Sequence, residues 1–319
     1  MPKMPPMSMT DGYADGFAIH QAANARARSD ERTSGIPTQT AMTQLVFDRF
    51  LCRVFSDPLA GFALKGGTGM LARIPTGRAT RDVDLEHRSH SVAAAIEEMT
   101  RLAAVDLQDF HRFTRGPVRR MVGGNQPDIE GTRVTYNVDL LGPMDSIGRR
   151  RIKRLGPVAV DLAIHNRLTR PLARQAPRFR LELSKPLIVN DYLMISVEDQ
   201  IADKAAAMMD TSYASGEGSS RAKDLIDIVL LARHSPIRAE TLRLAIEAER
   251  TRRRISTFTS LTATPAIQTG FARVAAKTSA LPEALTWQSA LETANSLVQP
   301  ALTEAAHGRT WDPMALRWS

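Results

Sequence analysis

Residues 64–86 read LKGGTGMLARIPTGRATRDVDLE, and the interpretation of the whole chain depends on this stretch. Gly66 and Gly67 predict a tight turn, because glycine tolerates positive φ, and Thr68 can cap a helix that starts there and ends before Pro75. The Gly-Lys-Ser/Thr of a Walker A loop is absent, and a dinucleotide fingerprint would need a third glycine. An ordinary helix start and a phosphate-binding turn both remain open on this evidence.

Two aspartates at the end of the same stretch favour the second interpretation. Asp82 and Asp84 alternate with Val83 and Leu85, which predicts a strand with both carboxylates on one face and the apolar pair on the other. Carboxylates that close repel each other unless a cation lies between them. Mg²⁺ prefers oxygen ligands and accompanies phosphates. The pair therefore predicts a metal site beside a phosphate-binding turn.

The periodicity of the rest of the chain predicts an α/β (α+β) fold. Helical spacing follows Thr38, whereas residues 131–142, 156–165 and 179–189 alternate as strands do. Beyond about residue 195 the pattern is mostly helical. We therefore predict three parts: a flexible N-terminal arm (1–36), a mixed-sheet α/β domain (37–195) and a C-terminal helical domain (196–319).

Composition excludes several classes of protein. Hydrophobic residues make up 43% of the 319 and charged residues 24%, as in a globular protein, and no apolar run could span a membrane. Cys52 is the single cysteine, so a disulfide framework and a cysteine-based metal site are excluded. No histidine pair has zinc-ligand spacing, and no secretion signal is evident. We expect a cytoplasmic protein without a membrane partner.

The chain is basic, with a formal net charge of +8. Such a surplus favours a polyanionic partner, because phosphates supply much of the affinity for cationic surfaces. Each basic cluster is equally compatible with an ordinary solvated face. The candidate RNA-binding residues within these clusters are Arg119, Arg120, Arg150, Arg151, Arg154 and Arg253.

The Gly-Gly turn and Asp-x-Asp strand resemble the signature of DNA polymerase β-like nucleotidyltransferases. More narrowly, the chain resembles the AbiEii/MenT group of toxin nucleotidyltransferases in type IV-like toxin–antitoxin systems. Three later segments carry that resemblance: DQIADKAAAMM, SSRAKDLIDIVLLA and the tryptophan-bearing tail WDPMALRW. The resemblance runs in order from about Phe62 to the C-terminus. The turn has Thr68 where the wider superfamily often has serine, which keeps a hydroxyl.

The resemblance implies a role for each candidate residue. The nucleotide-binding set is Lys65, Gly66, Gly67, Thr68, Lys204 and Lys223, and the catalytic set is Asp82, Asp84, Asp161, Lys204 and Asp224. Asp82 and Asp84 would hold two Mg²⁺ ions, with Mn²⁺ as an alternative, together with a third carboxylate. That third ligand is either Asp139 or Asp161. Asp161 is preferred because its strand lies closer to the Lys204 helix in the family's order.

The implied activity is metal-assisted transfer of a nucleoside monophosphate from an NTP to the 3′ end of tRNA, which would block aminoacylation and translation. The implied partners are tRNA and a cognate antitoxin protein, with no specificity for DNA. Two alternatives are left open by the residues: transfer to a protein or small-molecule hydroxyl, and a non-catalytic binding protein with a vestigial site.

Overall fold

The computed structural model describes residues 12–75, 77, 80–88, 91–120, 131–164, 169–178, 180–211, 220–282 and 284–319. The helices are α1 (Gly16–Ser34), α2 (Thr38–Val54), α3 (Gly66–Arg73), α4 (Val92–Ala103), α5 (Val197–Met209), α6 (Ala222–His234), α7 (Ala239–Arg253), α8 (Pro265–Ala275) and α9 (Trp287–Leu302). The strands are β1 (Phe62–Leu64), β2 (Val83–His87), β3 (His111–Arg120), β4 (Gly131–Met144), β5 (Arg150–Arg154), β6 (Val158–Ile164), β7 (Ala173–Gln175), β8 (Tyr192–Met194), β9 (Ile237–Arg238), β10 (Thr310–Asp312) and β11 (Arg317–Trp318).

The strands of the first half form one mixed sheet in the order β3-β4-β6-β2-β1-β8-β7, with β5 paired to β4. Strands β2 and β6 are parallel, whereas β4 runs antiparallel to β3, β5 and β6. The α/β (α+β) class predicted from periodicity is confirmed by this mixed sheet and the helical region after it. A small sheet of β9, β10 and β11 joins the C-terminus to the helical region.

One face of the large sheet is covered, and the other carries polar side chains. On β4, Val134, Tyr136 and Val138 are fully buried and pack with apolar residues of α2 and α4. The intervening side chains of β4, which include Arg133 and Asn137, are polar. Because side chains alternate along a strand, they belong to the opposite, open face. The candidate acids lie on this open face.

Helix α3 connects the sheet to the helical half of the chain. Its Ala72 belongs to the core beneath the sheet, whereas its Met70 packs with the apolar residues of α5 and α6. Ile74, directly after the helix, joins the same helical core. The short helix that follows the glycine turn therefore contacts both hydrophobic cores, and a shift in either one would reach the turn.

Part of the predicted N-terminal arm is a packed helix rather than irregular chain over residues 16–34. These residues form α1, which Asp15 caps by accepting the N–H groups of Phe17 and Ala18. The buried side of α1 consists of Gly16, Ile19, Ala23 and Ala27. Such a stripe is too small and too weakly apolar to stand out from composition. Residues 1–11 of the predicted arm lie outside the described residues.

The strand predicted over residues 179–189 is also wrong. Residues 180–189 form no strand, and the sheet instead gains β8 at Tyr192–Met194. Pro186 has no N–H to donate to a neighbouring strand. Carbonyl oxygens of this segment bond to side chains instead: Arg49 Nη1 donates to Ile188 O at 2.8 Å, and Asn190 O accepts from Arg180.

Among the described residues, no helix is both long enough and apolar enough to cross a membrane.

Candidate functional site

The glycine turn is held against the second aspartate of β2. The backbone N–H of Gly67 donates to Asp84 Oδ2 at 2.9 Å, and the N–H of Lys65 donates to Asp84 O at 3.0 Å. Gly66 adopts a positive φ of 57°, and a Cβ placed there would lie 2.1 Å from Asp84 Oδ2. Glycine is therefore required at Gly66 both by the left-handed backbone and by the nearness of the carboxylate. Helix α3 begins here, two residues before the predicted start.

Thr68 stabilises the start of β2. Its hydroxyl donates to the carbonyl oxygen of Asp82 at 2.7 Å, and the residue is only 5% exposed. The hydroxyl is thus committed to the backbone that carries the aspartates. Its position supports a role in holding that backbone rather than the direct triphosphate contact that the resemblance implied.

The carboxylates of Asp82, Asp84 and Asp161 lie on neighbouring positions of the open face. Asp84 on β2 and Asp161 on β6 are direct partners in the parallel pair, while Val83 and Leu85 are fully buried on the other face. Asp82 directly precedes β2. The alternation deduced from the RDVDL sequence therefore matches the burial of all four residues.

Asp139, the alternative third carboxylate, lies away from this group. It shares the open face but is six residues beyond Arg133, the direct partner of Asp161 on β4. That separation corresponds to about 20 Å along the strand. Asp139 accepts instead from Arg112 Nη2 at 2.8 Å and Arg154 Nε at 3.2 Å. The structure brings Asp161 beside Asp84, and leaves Asp139 among arginines.

The environment of Asp84 disfavours its charged form. Burial, together with the nearby negative charges of Asp82 and Asp161, raises the pKa of Asp84 from 3.8 to about 6. The Gly67 N–H and the positive charge of Lys65 oppose this effect without cancelling it. A cation among the three acids would relieve the repulsion. The local electrostatics are therefore those of a site that attracts positive charge.

Arg133, which the sequence analysis did not single out, lies between two of the acids. Its Nε and Nη2 atoms donate to Asp161 Oδ1 and Oδ2, each at 2.6 Å, and Nη2 also lies 3.0 Å from Asp82 Oδ2. The guanidinium therefore forms a two-point contact with one carboxylate and bridges it to the other. A signal was available: Arg133 is an open-face residue in the alternating segment GTRVTYNVDLLG.

The three acids fit a hard divalent cation by their chemistry. All are carboxylates, which suit Mg²⁺ or Mn²⁺, and Asp84 is destabilised by the other two. Within the described part of the chain, however, no three metal-ligating side chains already surround a common point. Arg133 lies among these acids and engages both oxygens of Asp161 and one of Asp82.

A second polar group is buried where α5 meets α6. Lys204 Nζ lies 2.6 Å from Asp227 Oδ2 and 3.4 Å from Asp224 Oδ1. Burial opposes the charge on Lys204, but Asp227 and Asp224 outweigh it and raise its pKa. Arg221 Nε lies 2.5 Å from Asp224 Oδ2. The predicted pair of Lys204 and Asp224 is brought together, with Asp227 as the closer carboxylate. Lys223 is exposed and lies outside this group.

Gln200 connects this buried group to the glycine turn. Its Nε2 donates to Gly66 O at 2.9 Å, and its Oε1 accepts from Arg73 Nη1 at 2.8 Å. Gln200 and Lys204 are one turn apart on α5 and share a face. Gln200 was also missed from the sequence, although its spacing of four from Lys204 marks the same helix face.

The predicted RNA-binding arginines fall into three groups. Arg119 is the direct partner of Arg133 and therefore lies on the open face, as do Arg150 and Arg154. Arg120 and Arg151 belong to the opposite face, where Arg151 lies 5.7 Å from the ring of Phe17 in α1. The remaining member of the set is Arg253.

Arg253 differs from the other five, because its guanidinium is buried rather than at the surface. The residue is 7% exposed; its Nη2 lies 2.5 Å from Asp203 Oδ1, and its Nε lies 2.6 Å from Glu249 Oε1. Its Nε and Nη2 donors are committed to these two carboxylates. Arg253 therefore ties α7 to α5.

Comparisons with known proteins place this geometry in context. None of the curated sequences compared with the chain matches it. Three solved structures are similar in part: a putative nucleotidyltransferase from H. pylori (13% identity, 83% of this chain and 95% of that one, TM-score 0.40), JHP933 from Helicobacter pylori (14%, 84% and 95%, 0.40) and MenT4, a nucleotidyltransferase toxin from Mycobacterium tuberculosis H37Rv (17%, 92% and 99%, 0.46).

Because these TM-scores are below 0.5, the family assignment depends on the sequence match alone. Residues 49–308 match the family described as nucleotidyl transferase AbiEii toxin, type IV toxin–antitoxin system. The matched range includes the glycine turn, the acids of β2 and β6, and the buried group of α5 and α6. The chain therefore belongs to the AbiEii family of nucleotidyltransferase toxins.

Proposed function

We propose that this nucleotidyltransferase transfers a nucleoside monophosphate from an NTP to the 3′ end of tRNA and thereby blocks aminoacylation; the terminal hydroxyl attacks the α-phosphate and pyrophosphate leaves. The observation that carries the proposal is the meeting of three acids, Asp82, Asp84 and Asp161, on one open face beside a glycine turn that donates to Asp84. This arrangement can hold a divalent cation and a triphosphate side by side.

A divalent cation held by the three acids would supply positive charge beside the reacting phosphate and lower the pKa of the attacking hydroxyl. Asp161, on the central strand β6, is the proposed proton acceptor for that hydroxyl. Asp84 is proposed as a ligand whose orientation depends on the Gly67 N–H. Thr68 keeps Asp82 in place, because the Thr68 hydroxyl donates to the carbonyl oxygen of Asp82.

The triphosphate is proposed to lie between the glycine turn and α5. Lys65 and Lys204 are the cations proposed to face it, and Gln200 joins α5 to the turn through Gly66 O. Asp224 and Asp227 hold the ammonium of Lys204 in a defined position. Fixed charges aimed at developing negative charge stabilise a transition state without reorganisation.

The open face of β3, β4 and β5 is proposed as the path of the acceptor RNA. It continues from the carboxylates through Arg119 to Asn137 and then to Arg112 and Arg154, which flank Asp139. Arginines spaced along a face suit the phosphates of an A-form stem, which is recognised by shape and backbone rather than by base edges. DNA specificity is not expected from such contacts.

The proposal is tested by incubating the purified protein with each α-³²P-labelled NTP, Mg²⁺ and either total tRNA or total cell protein. We expect label on tRNA that is removed by 3′-end trimming, and none with Asp82→Ala. Label on protein or on a small molecule would favour the alternative acceptors. Retained transfer by a folded Asp82→Ala variant would contradict the assignment of the site.

The family of type IV toxin–antitoxin systems implies an antitoxin partner. We propose that a cognate antitoxin protein restrains this enzyme in the cytoplasm. Co-expression with the neighbouring reading frame should restore growth of cells that express the chain, and growth arrest that persists under every such co-expression would count against a protein antitoxin.

A further inference from the structure

Arg133 occupies the position between carboxylates that a metal ion would need. Both oxygens of Asp161 and one oxygen of Asp82 face its guanidinium at 2.6–3.0 Å. A divalent cation such as Mg²⁺ binds carboxylate oxygens at about 2.0–2.1 Å and would need an oxygen of each acid. Because both oxygens of Asp161 and one of Asp82 already face Arg133, an entering metal would meet the guanidinium at the same carboxylates.

We propose that Arg133 is a positioning residue that competes with the metal. It neutralises the acids while no metal is bound, and it leaves Asp82 when a divalent cation enters. The inference rests on the proposed metal site at Asp82, Asp84 and Asp161. Its consequence is that Arg133 stabilises the metal-free site and lowers the affinity of that site for the metal.

Two features of the surroundings allow this exchange. The side chain of Arg133 is 42% exposed, so its guanidinium can turn toward solvent without first breaking a packed core. Arg119 lies directly opposite on β3 and on the same face. A displaced Arg133 would lie beside that second arginine, and two neighbouring guanidinium groups can share a phosphate. The exchange thus moves the Arg133 guanidinium from the acids to the proposed acceptor path.

Arg112 provides a matched control. It is also an open-face arginine that donates to a cross-strand aspartate, with Nη2 2.8 Å from Asp139 Oδ2, and its side chain is 50% exposed. Asp139 lies about 20 Å along the sheet from the three acids. Removing Arg112 breaks a similar contact without touching the proposed metal ligands.

The test measures Mn²⁺ binding to the full chain by electron paramagnetic resonance, without nucleotide, for the wild type, Arg133→Gln and Arg112→Gln. We expect Arg133→Gln to bind Mn²⁺ about tenfold more tightly or better, because each lost charge-assisted hydrogen bond had opposed metal entry. Its melting temperature in EDTA should fall, and Mn²⁺ should raise that temperature more than in the wild type. Arg112→Gln should bind Mn²⁺ as the wild type does.

Unchanged or weaker Mn²⁺ binding by Arg133→Gln would overturn the inference. The absence of Mn²⁺ binding by both the wild type and Arg133→Gln would also overturn it. Label transfer to RNA is not part of this readout. Tighter Mn²⁺ binding without any RNA labelling would overturn the proposed function and leave the competition standing.

A second measurement needs no variant and covers the case in which Arg133→Gln does not fold. The wild type is treated with phenylglyoxal in Mg²⁺ or in EDTA, and arginine modification is followed by peptide mass spectrometry with Arg112 as the internal reference. We expect Arg133 to react several-fold faster in Mg²⁺, because the metal releases its guanidinium. An equal or slower reaction in Mg²⁺ would overturn the proposal.

Discussion

Two arginine–aspartate contacts lie on the same open face of the sheet, yet their surroundings differ in charge. Arg133 contacts Asp161, and the neighbouring Asp82 and Asp84 leave acids in excess. At the other contact, Asp139 is flanked by two arginines, which leaves cations in excess. The first group should attract a metal ion and the second a phosphate. The local sum of charges, rather than the pair itself, therefore separates the two sites.

The pKa values of Asp84 and Asp139 agree with this difference in local charge. Burial and the nearby acids raise the pKa of Asp84 to about 6, whereas the hydrogen bond from Arg112, with help from Arg154, lowers the pKa of Asp139. A carboxylate that resists ionisation benefits from a bound cation. A carboxylate already stabilised by two arginines gains little from one.

The largest expected effect comes from neutralising Asp161 in the first group. The same change at Asp139 in the second group is the control. Asp161→Asn should reduce the rate of nucleotide transfer by about 10³-fold or more, since a lost metal ligand raises the barrier by several kcal/mol. Asp139→Asn, made as the matched control, should keep the rate within about threefold. Initial rates at saturating NTP measure both. Equal losses in the two variants would erase the distinction between the groups.

Lys204 offers a way to separate stability from catalysis. Lys204→Met should lower the free energy of unfolding by about 3–5 kcal/mol, because it removes the buried ammonium that faces Asp227 and Asp224. Adding Asp227→Asn should recover part of that stability in urea unfolding. It should not recover transfer, because the Lys204 ammonium proposed to face the triphosphate is still missing. Restored transfer in the double variant would show that Lys204 has only a structural role.

The glycine turn should tolerate no side chain at its first position. Gly66→Ala would place a Cβ 2.1 Å from Asp84 Oδ2 at a positive φ, which forces the turn and the carboxylate apart. We expect transfer to fall about 10- to 100-fold, equivalent to about 1–3 kcal/mol. Gly148→Ala, also at a positive φ but with no atom near its Cβ, is the control for backbone strain alone. Wild-type kinetics in Gly66→Ala would exclude the close approach.

Asp84 should make the metal-free protein less stable as the pH rises. Its folded-state pKa of about 6 exceeds the ordinary 3.8, so the folded chain binds the proton more tightly and loses stability between about pH 4 and 6. Asp84→Asn in EDTA should therefore be more stable than the wild type by about 1–2 kcal/mol at pH 7.5, with the advantage lost near pH 4. Urea unfolding at both pH values measures this, and a less stable variant at pH 7.5 would contradict it.

The smallest effect is expected on the proposed RNA path. Arg119→Gln and Arg154→Gln should each raise the KM for tRNA a few-fold, because each removes one phosphate contact. Each should also reduce the slope of log affinity for tRNA against log salt concentration by about one. Arg151→Gln, on the face covered by α1, should leave both quantities unchanged. An equal effect of all three variants would mean that the open face does not guide the acceptor.

Local periodicity was sufficient for much of this fold and for part of the site. The alternation of Asp82, Val83, Asp84 and Leu85 predicted which side chains are buried. It could not show that β6 lies parallel to β2, so Asp139 and Asp161 stayed as alternatives until the register was known.

The unpredicted features depend on contacts between distant segments. Arg133 joins Asp82 across 51 positions, and Gln200 reaches Gly66 across 134. The burial of Arg253 was not predicted, because a basic run shows charge but not the carboxylate of Asp203 on another helix. Helix α1 was missed because alanines make up much of its buried face.

The central claim is that the group of Asp82, Asp84 and Asp161 binds a metal ion and that Asp139 does not. Titrating Mn²⁺ into the wild type, Asp161→Asn and Asp139→Asn tests it directly. Bound Mn²⁺ is counted by electron paramagnetic resonance. We predict that the wild type and Asp139→Asn bind with the same midpoint and that Asp161→Asn loses at least about tenfold in affinity. Weaker binding by Asp139→Asn, with Asp161→Asn unchanged, would contradict the assignment of the site.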